Sequence, residues 1–141
     1  GHRELERLAL GGLGANAAIY SVVRGVIRVQ RVVSAVDCGL AVNPAGVRDQ
    51  TESAITFALT AALKGEVTIR AGRVEQGNFD DQPLLRIDEM PAIEVHLVPS
   101  REPPGGVGEP GVPPFAPALA NAVFVATGQR LRRLPLRLDQ G

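Results

Sequence analysis

Between Pro99 and Pro117 the chain carries seven of its eleven prolines and four glycines. Proline removes a backbone donor and fixes φ, and glycine admits backbone angles that other residues avoid, so neither a helix nor a central strand can run through this stretch. The segment must be a long loop, and the rest of the chain has to fold around it. Loops of this length without secondary structure tend to be functional. A smaller cluster, Gly11-Gly12-Leu13-Gly14, marks a second break near the start.

The flanking segments carry regular patterns. Residues 3–10 read as a short helix ending at Gly11. Ile19–Val23 and Val26–Val36 are rich in β-branched residues, and Arg24-Gly25 between them reads as a two-residue hairpin turn. Val26, Arg28, Gln30 and Val32 share one face of the second strand and Ile27, Val29, Arg31 and Val33 the other. Neither face is purely apolar, so uneven burial is expected. Asp37–Gly46 is a loop with turn chemistry at Asn43-Pro44. A helix is expected over Val47–Lys64, where Ile55, Leu59, Ala62 and Leu63 recur at helical spacing and Gly65 follows as a cap. Glu66–Arg70 and Arg73–Gln76 read as strands around an Ala71-Gly72 turn, and 77–91 as polar and irregular. Ile93, Val95 and Leu97 alternate with their neighbours as in a half-buried strand. A second helix is expected over Pro117–Gly128, with Pro117 suited to its first turn. Leu134–Leu138 reads as a last strand. Residues 3–141 are thus expected to form one α+β domain, a mixed β-sheet with two main helices packed on it, without internal repeats.

Composition narrows the function classes. A chain of 141 residues holds one core. Fifteen basic residues balance fifteen acidic ones, and aromatics are 4% with no Trp. A nucleic-acid module would be basic and supplied with stacking side chains. One cysteine, Cys38, excludes an internal disulfide framework and a Cys-rich zinc site, and two histidines without His-x-x-x-His spacing argue against a histidine-built metal site. No run of 18 apolar residues is present, so no membrane span is expected. Gly1-His2, without an initiating Met, reads as a tag scar and is set aside. Cytoplasm and periplasm both fit this composition.

The residue best placed for chemistry is Glu109. It stands in Gly106-Val107-Gly108-Glu109-Pro110-Gly111, flanked by glycines that let a ligand approach the backbone and followed by a proline that stiffens it. A general base needs a carboxylate held in this way. The competing reading is a structural connector with Glu109 in solvent, or a Pro/Gly-rich interaction loop on a non-catalytic docking and assembly module.

Val107-Gly108-Glu109-Pro110 resembles the active-site loop of the molybdenum hydroxylases, the xanthine dehydrogenase and aldehyde oxidase family. Three further segments resemble that family in order and spacing. They are Asp37-Cys38-Gly39-Leu40-Ala41-Val42-Asn43-Pro44, Gln50-Thr51-Glu52, and the pair Asn78-Phe79-Asp80-Asp81 with Asp88-Glu89-Met90-Pro91. The isoquinoline 1-oxidoreductase branch is the most similar. The match runs over about residues 26–138. It implies the C-terminal portion of a much longer molybdopterin-binding large subunit, inactive by itself. It implies Glu109 as the general base in hydroxylation of a carbon next to a ring nitrogen, or of an aldehyde. It also implies Gln50 as a hydrogen-bond partner of the molybdenum-pterin cofactor, with the backbone at Val107 and Gly108 packed against that group. Electrons would leave through [2Fe-2S] clusters on a small partner subunit. Ser53 and Ala54 stand where the family usually carries glycine, and Ala58 at another such position.

Other residues receive plainer readings. Cys38 is expected as a small buried hydrophobe, and His96 as a half-exposed neutral side chain. Asp80, Asp81, Asp88 and Glu89 read as a solvated loop rather than a cation site. Arg130, Arg132 and Arg133 read as a solvated helix end, and Asp37 as the closure of a turn.

Overall fold

A computed structural model of the chain describes the backbone of residues 5–11, 14–23 and 26–138 and the side chains of 26–138. Three strands come first: β1 (Leu5–Gly11), β2 (Gly14–Val23) and β3 (Val26–Val36). Helix α1 spans Pro44–Leu63. Two-residue strands β4 (Ile69–Arg70) and β5 (Arg73–Val74) form a separate ribbon. After two 3-10 turns at Phe79–Asp81 and Ile87–Glu89 come β6 (Ala92–Leu97) and helix α2 (Phe115–Thr127). The main sheet has the order β1-β2-β3-β6. Its first two pairings are antiparallel and β3–β6 is parallel, with α1 in the crossover. The architecture is the expected α+β mixed sheet with two helices.

The helix expected over residues 3–10 is instead strand β1. It pairs residue for residue with β2 from Leu5–Tyr20 to Gly11–Gly14. Eight residues make a marginal helix in water, whereas a full-length neighbouring strand satisfies every backbone group along one edge. The glycine cluster therefore joins two strands. Val23 pairs with Val26, which agrees with a hairpin turn at Arg24-Gly25, themselves outside the described residues.

The mixed faces of β3 have a specific cause. The ladder steps from Ile19–Arg31 to Tyr20–Val29, so β3 carries one residue more than β2 at that point. This bulge inverts the alternation. Ile27 and Val29 before it and Val32, Ser34 and Val36 after it all lie buried on one face. Simple alternation would have divided those residues between two faces.

Helix α1 starts three residues before the expected Val47. Asn43 is its N-cap, its Oδ1 accepting from Gly46 N–H at 3.1 Å, and Pro44 occupies the first turn. Val47, Thr51, Ala54, Ile55, Ala58, Leu59 and Ala62 form one buried stripe. The carbonyl of Thr60 accepts from both Lys64 and Gly65, closing the helix. Helix α2 starts at Phe115, two residues before the expected Pro117, and ends on Gly128 in the left-handed conformation. It buries Phe115, Ala118, Leu119, Ala122 and Val123. Phe115, Leu119, Ala122 and Val123 meet Ile55, Ala58, Leu59 and Ala62 of α1 and Ile27, Val29 and Val32 of β3 in one core. The strands expected over 66–70 and 73–76 shrink to β4 and β5. Thr68 is still tied to this ribbon, through Glu75 N–H and the side chain of Gln76.

Leu134–Leu138 forms no strand. Leu136 N–H donates to Ala62 O at 2.7 Å and its side chain is buried in the main core. The end of α1 leaves carbonyls without intrahelical partners, and the tail supplies a donor to one of them. Among the described residues no helix is long and apolar enough to cross a membrane.

Candidate active site

The Pro/Gly stretch is fastened at three points. At the first, Leu40 N–H donates to Glu102 O at 2.9 Å and Gly105 N–H to Cys38 O at 2.8 Å. Gly39, between those two anchors, has φ +69°. A Cβ there would lie 2.3 Å from Pro103 O, so only glycine fits beneath the loop. Asp37 closes the turn as expected, its Oδ1 accepting from Gly39 N–H at 3.1 Å. At the second point the Val107 side chain packs on a small cluster of Val36, Cys38 and Val47, with Val95 and Leu97 of β6 beside it. At the third, Glu109 O accepts from Val112 N–H at 2.9 Å. This makes a tight turn with Pro110 and Gly111 at its corner. Gly111 is buried against α1, where a Cβ would lie 3.0 Å from Ala54 Cβ and 3.3 Å from Thr51 O.

This arrangement brings the sequence-predicted residues into one neighbourhood. Gln50 immediately precedes Thr51 on α1, and Glu109 heads the turn that rests on Thr51 and Ala54. Both side chains are exposed, and Val107 is half-buried. Cβ positions at Gly106 and Gly108 would meet no atom within 4 Å, so this stretch of backbone faces open space. The helix beneath is firm. Its stripe is buried, and the buried Thr51 hydroxyl donates to Val47 O at 2.8 Å. Sequence reasoning named Gly39, Ala54 and Gly111 within its motifs but missed that Gly39 lies under Pro103 and Gly111 against Ala54. The Pro-Gly corner signals a turn, but not what the turn rests on.

The other singled-out residues lie apart from it or serve packing. Cys38 is buried in the small cluster. His96 is exposed, 3.9 Å from Glu94. Asp81 accepts from Gly77 N–H, and Glu89 accepts from Lys64 Nζ and from Arg86 N–H. The Lys64 hydrogen bond, followed by that from Arg86, holds the Glu89 carboxyl below its ordinary value. Among the described residues no three His, Cys, Asp or Glu side chains gather as a metal site. Arg130 stacks over the Phe124 ring at 3.5 Å, Arg133 and Arg137 approach Glu66, and Arg132 is exposed.

The site suits a cofactor that brings its own metal on an organic ligand. It offers an amide from Gln50, bare glycine backbone and one carboxylate, with no set of protein metal ligands. A molybdenum-pterin group needs that kind of donor set.

The fold and this site suit a cofactor-binding unit, and comparison with known proteins agrees. Residues 14–91 match the model of the molybdopterin cofactor-binding domain. The chain belongs to this family. It is 39% identical over 117 residues to one subunit of the nicotinate dehydrogenase of Pseudomonas putida, covering 82% of this chain and 10% of that protein. It is 40% identical over 128 residues to the beta subunit of isoquinoline 1-oxidoreductase from Brevundimonas diminuta, covering 87% of this chain and 16% of that one. Among solved structures, a Cu,Mo-CO dehydrogenase in its carbon monoxide reduced state superposes with a TM-score of 0.75 at 26% identity. That match covers 85% of this chain and 17% of the dehydrogenase chain. The chain thus spans a tenth to a fifth of the length of the relatives it matches.

Proposed function

We propose that this chain is the C-terminal portion of the molybdopterin-binding large subunit of a molybdenum hydroxylase, acting on an N-heterocycle or an aldehyde, with Glu109 as the general base. The observation that carries the reading is the seating of Glu109. Its turn rests on α1 beside Gln50, and the loop behind it is tied to the Cys38–Leu40 segment. Gln50 and the backbone at Val107 and Gly108 hold the molybdenum-pterin group. When bound, that group supplies the two-electron acceptor and an acidified oxygen nucleophile. The carboxylate of Glu109 would take up the proton released when the substrate is hydroxylated. Pro110 and the Val112–Glu109 bond fix the backbone from which the carboxylate projects, a first condition for general-base catalysis. A small partner subunit carrying [2Fe-2S] clusters would receive the electrons. The 141 residues by themselves are inactive, because contacts from the rest of the large subunit complete the cofactor pocket.

The test uses the full-length large subunit co-expressed with its iron–sulfur partner. Glu109→Gln lowers turnover of heterocycles and aldehydes with an artificial acceptor by at least about 10²-fold, the low end of general-base contributions, with molybdenum content unchanged. Wild-type turnover in the loaded variant refutes the assignment.

A further inference from the structure

Glu109 is exposed, and the backbone from which its side chain projects is set by the turn below it. The corner residue Gly111 is buried, yet its φ lies outside the left-handed region. Glycine is therefore needed here for closeness rather than for conformation. An added methyl would meet Ala54 Cβ at 3.0 Å, Thr51 O at 3.3 Å and Ile55 Cγ1 at 3.7 Å. All three atoms belong to α1, the helix that presents Gln50. The helix cannot retreat: Thr51, Ala54 and Ile55 are buried in it, and Ile55 is wholly enclosed by the main core. Any change of bulk at this contact moves the turn.

We propose that Ala54 is a positioning residue. Its methyl, acting through Gly111, sets the height of the Glu109 turn over α1 and so the placement of the carboxylate relative to Gln50. This inference rests on the reading of Glu109 as the base. The seat consists of two small groups in contact, so it is adjustable from either side, and bulk added on one side can be offset by bulk removed from the other.

The experiment uses the full-length molybdenum enzyme with its partner subunit, carrying Gly111→Ala, Ala54→Gly, and both together. Misplacement by about 1 Å costs on the order of 10²-fold in rate. The few tenths of an ångström imposed by Gly111→Ala are therefore expected to lower kcat about tenfold, with KM within about twofold and molybdenum retained. Hydrogen exchange rises over 105–112 and stays unchanged over α2. The double variant regains most of the lost kcat, because the methyl–methyl contact is relieved; the Thr51 O contact accounts for the remainder. Failure of Ala54→Gly to rescue Gly111→Ala overturns the proposal. So does a wild-type kcat in Gly111→Ala whose 105–112 exchange has risen. If Gly111→Ala does not assemble, Ala54→Val loads the same contact from the helix side, and unchanged kcat there overturns it equally. Glu109→Gln is measured in parallel. Wild-type turnover in that variant sinks the base assignment and, with it, the positioning role. Rescue failure with an inactive Glu109→Gln sinks the positioning role alone.

Discussion

Replacing Gly39 by alanine isolates the grip on the loop that carries Glu109. Two costs add. A non-glycine residue in the left-handed region is disfavoured by about 1–2 kcal/mol, and Gly39 has φ +69°. The new Cβ would also lie 2.3 Å from Pro103 O, and it needs at least 3.0 Å. The Pro103 carbonyl must retreat, which breaks the Leu40–Glu102 and Gly105–Cys38 hydrogen bonds on either side of it. Each is worth about 1 kcal/mol net. The total is about 3–4 kcal/mol. Gly72→Ala is the control: its φ is +77° and no atom lies within 4 Å of the added methyl. It carries the conformational cost alone, about 1–2 kcal/mol. Urea unfolding of both variants reads the difference, about 2 kcal/mol, as a midpoint roughly 1 M lower for Gly39→Ala at ordinary denaturant slopes. Equal midpoints for the two variants would refute the claim that the loop is clamped through Pro103.

Further expectations concern the core and one ion pair. Leu59→Ala removes a side chain that is 1% exposed in the main core and should cost about 2–5 kcal/mol, measured by the same unfolding; a loss under about 1 kcal/mol contradicts the packing described. Glu89 is held below its ordinary value of 4.5, first by Lys64 and then by Arg86 N–H. Its stabilising effect is full above that value and is lost as pH falls through the lower folded one. The stability advantage of wild type over Glu89→Gln should therefore narrow as pH falls below 4.5, and a constant advantage counts against the Lys64 contact.

Several elements were legible because their signals are local. The β-branched runs around Arg24-Gly25 make the β2–β3 hairpin, and the stripe from Val47 to Ala62 makes α1. Ile93, Val95 and Leu97 make β6. What was misread depends on distant partners. Residues 5–11 are a strand because β2 lies beside them, and Leu136 is in the core because the end of α1 needs a donor. The bulge in β3 left a trace in the sequence, the two mixed faces, yet its position shows only in the register with β2. At the site, Glu109 and Gln50 stand out by motif. The contacts of Gly39 and Gly111 are not legible there, because their close approaches are to residues more than forty positions away.

The parallel pairing of β3 with β6 sets when the site can come into being. Arg31 and Glu94 are joined by a salt bridge across that pair, at a sequence separation of 63. Closing so long a loop costs entropy before any contact rewards it, whereas the β2–β3 hairpin needs only a two-residue closure. The Glu109 loop leaves directly from β6, and its hold on Cys38 begins where β3 ends. Its anchor at Cys38 therefore depends on the long-range β3–β6 closure, which the β2–β3 hairpin alone does not provide.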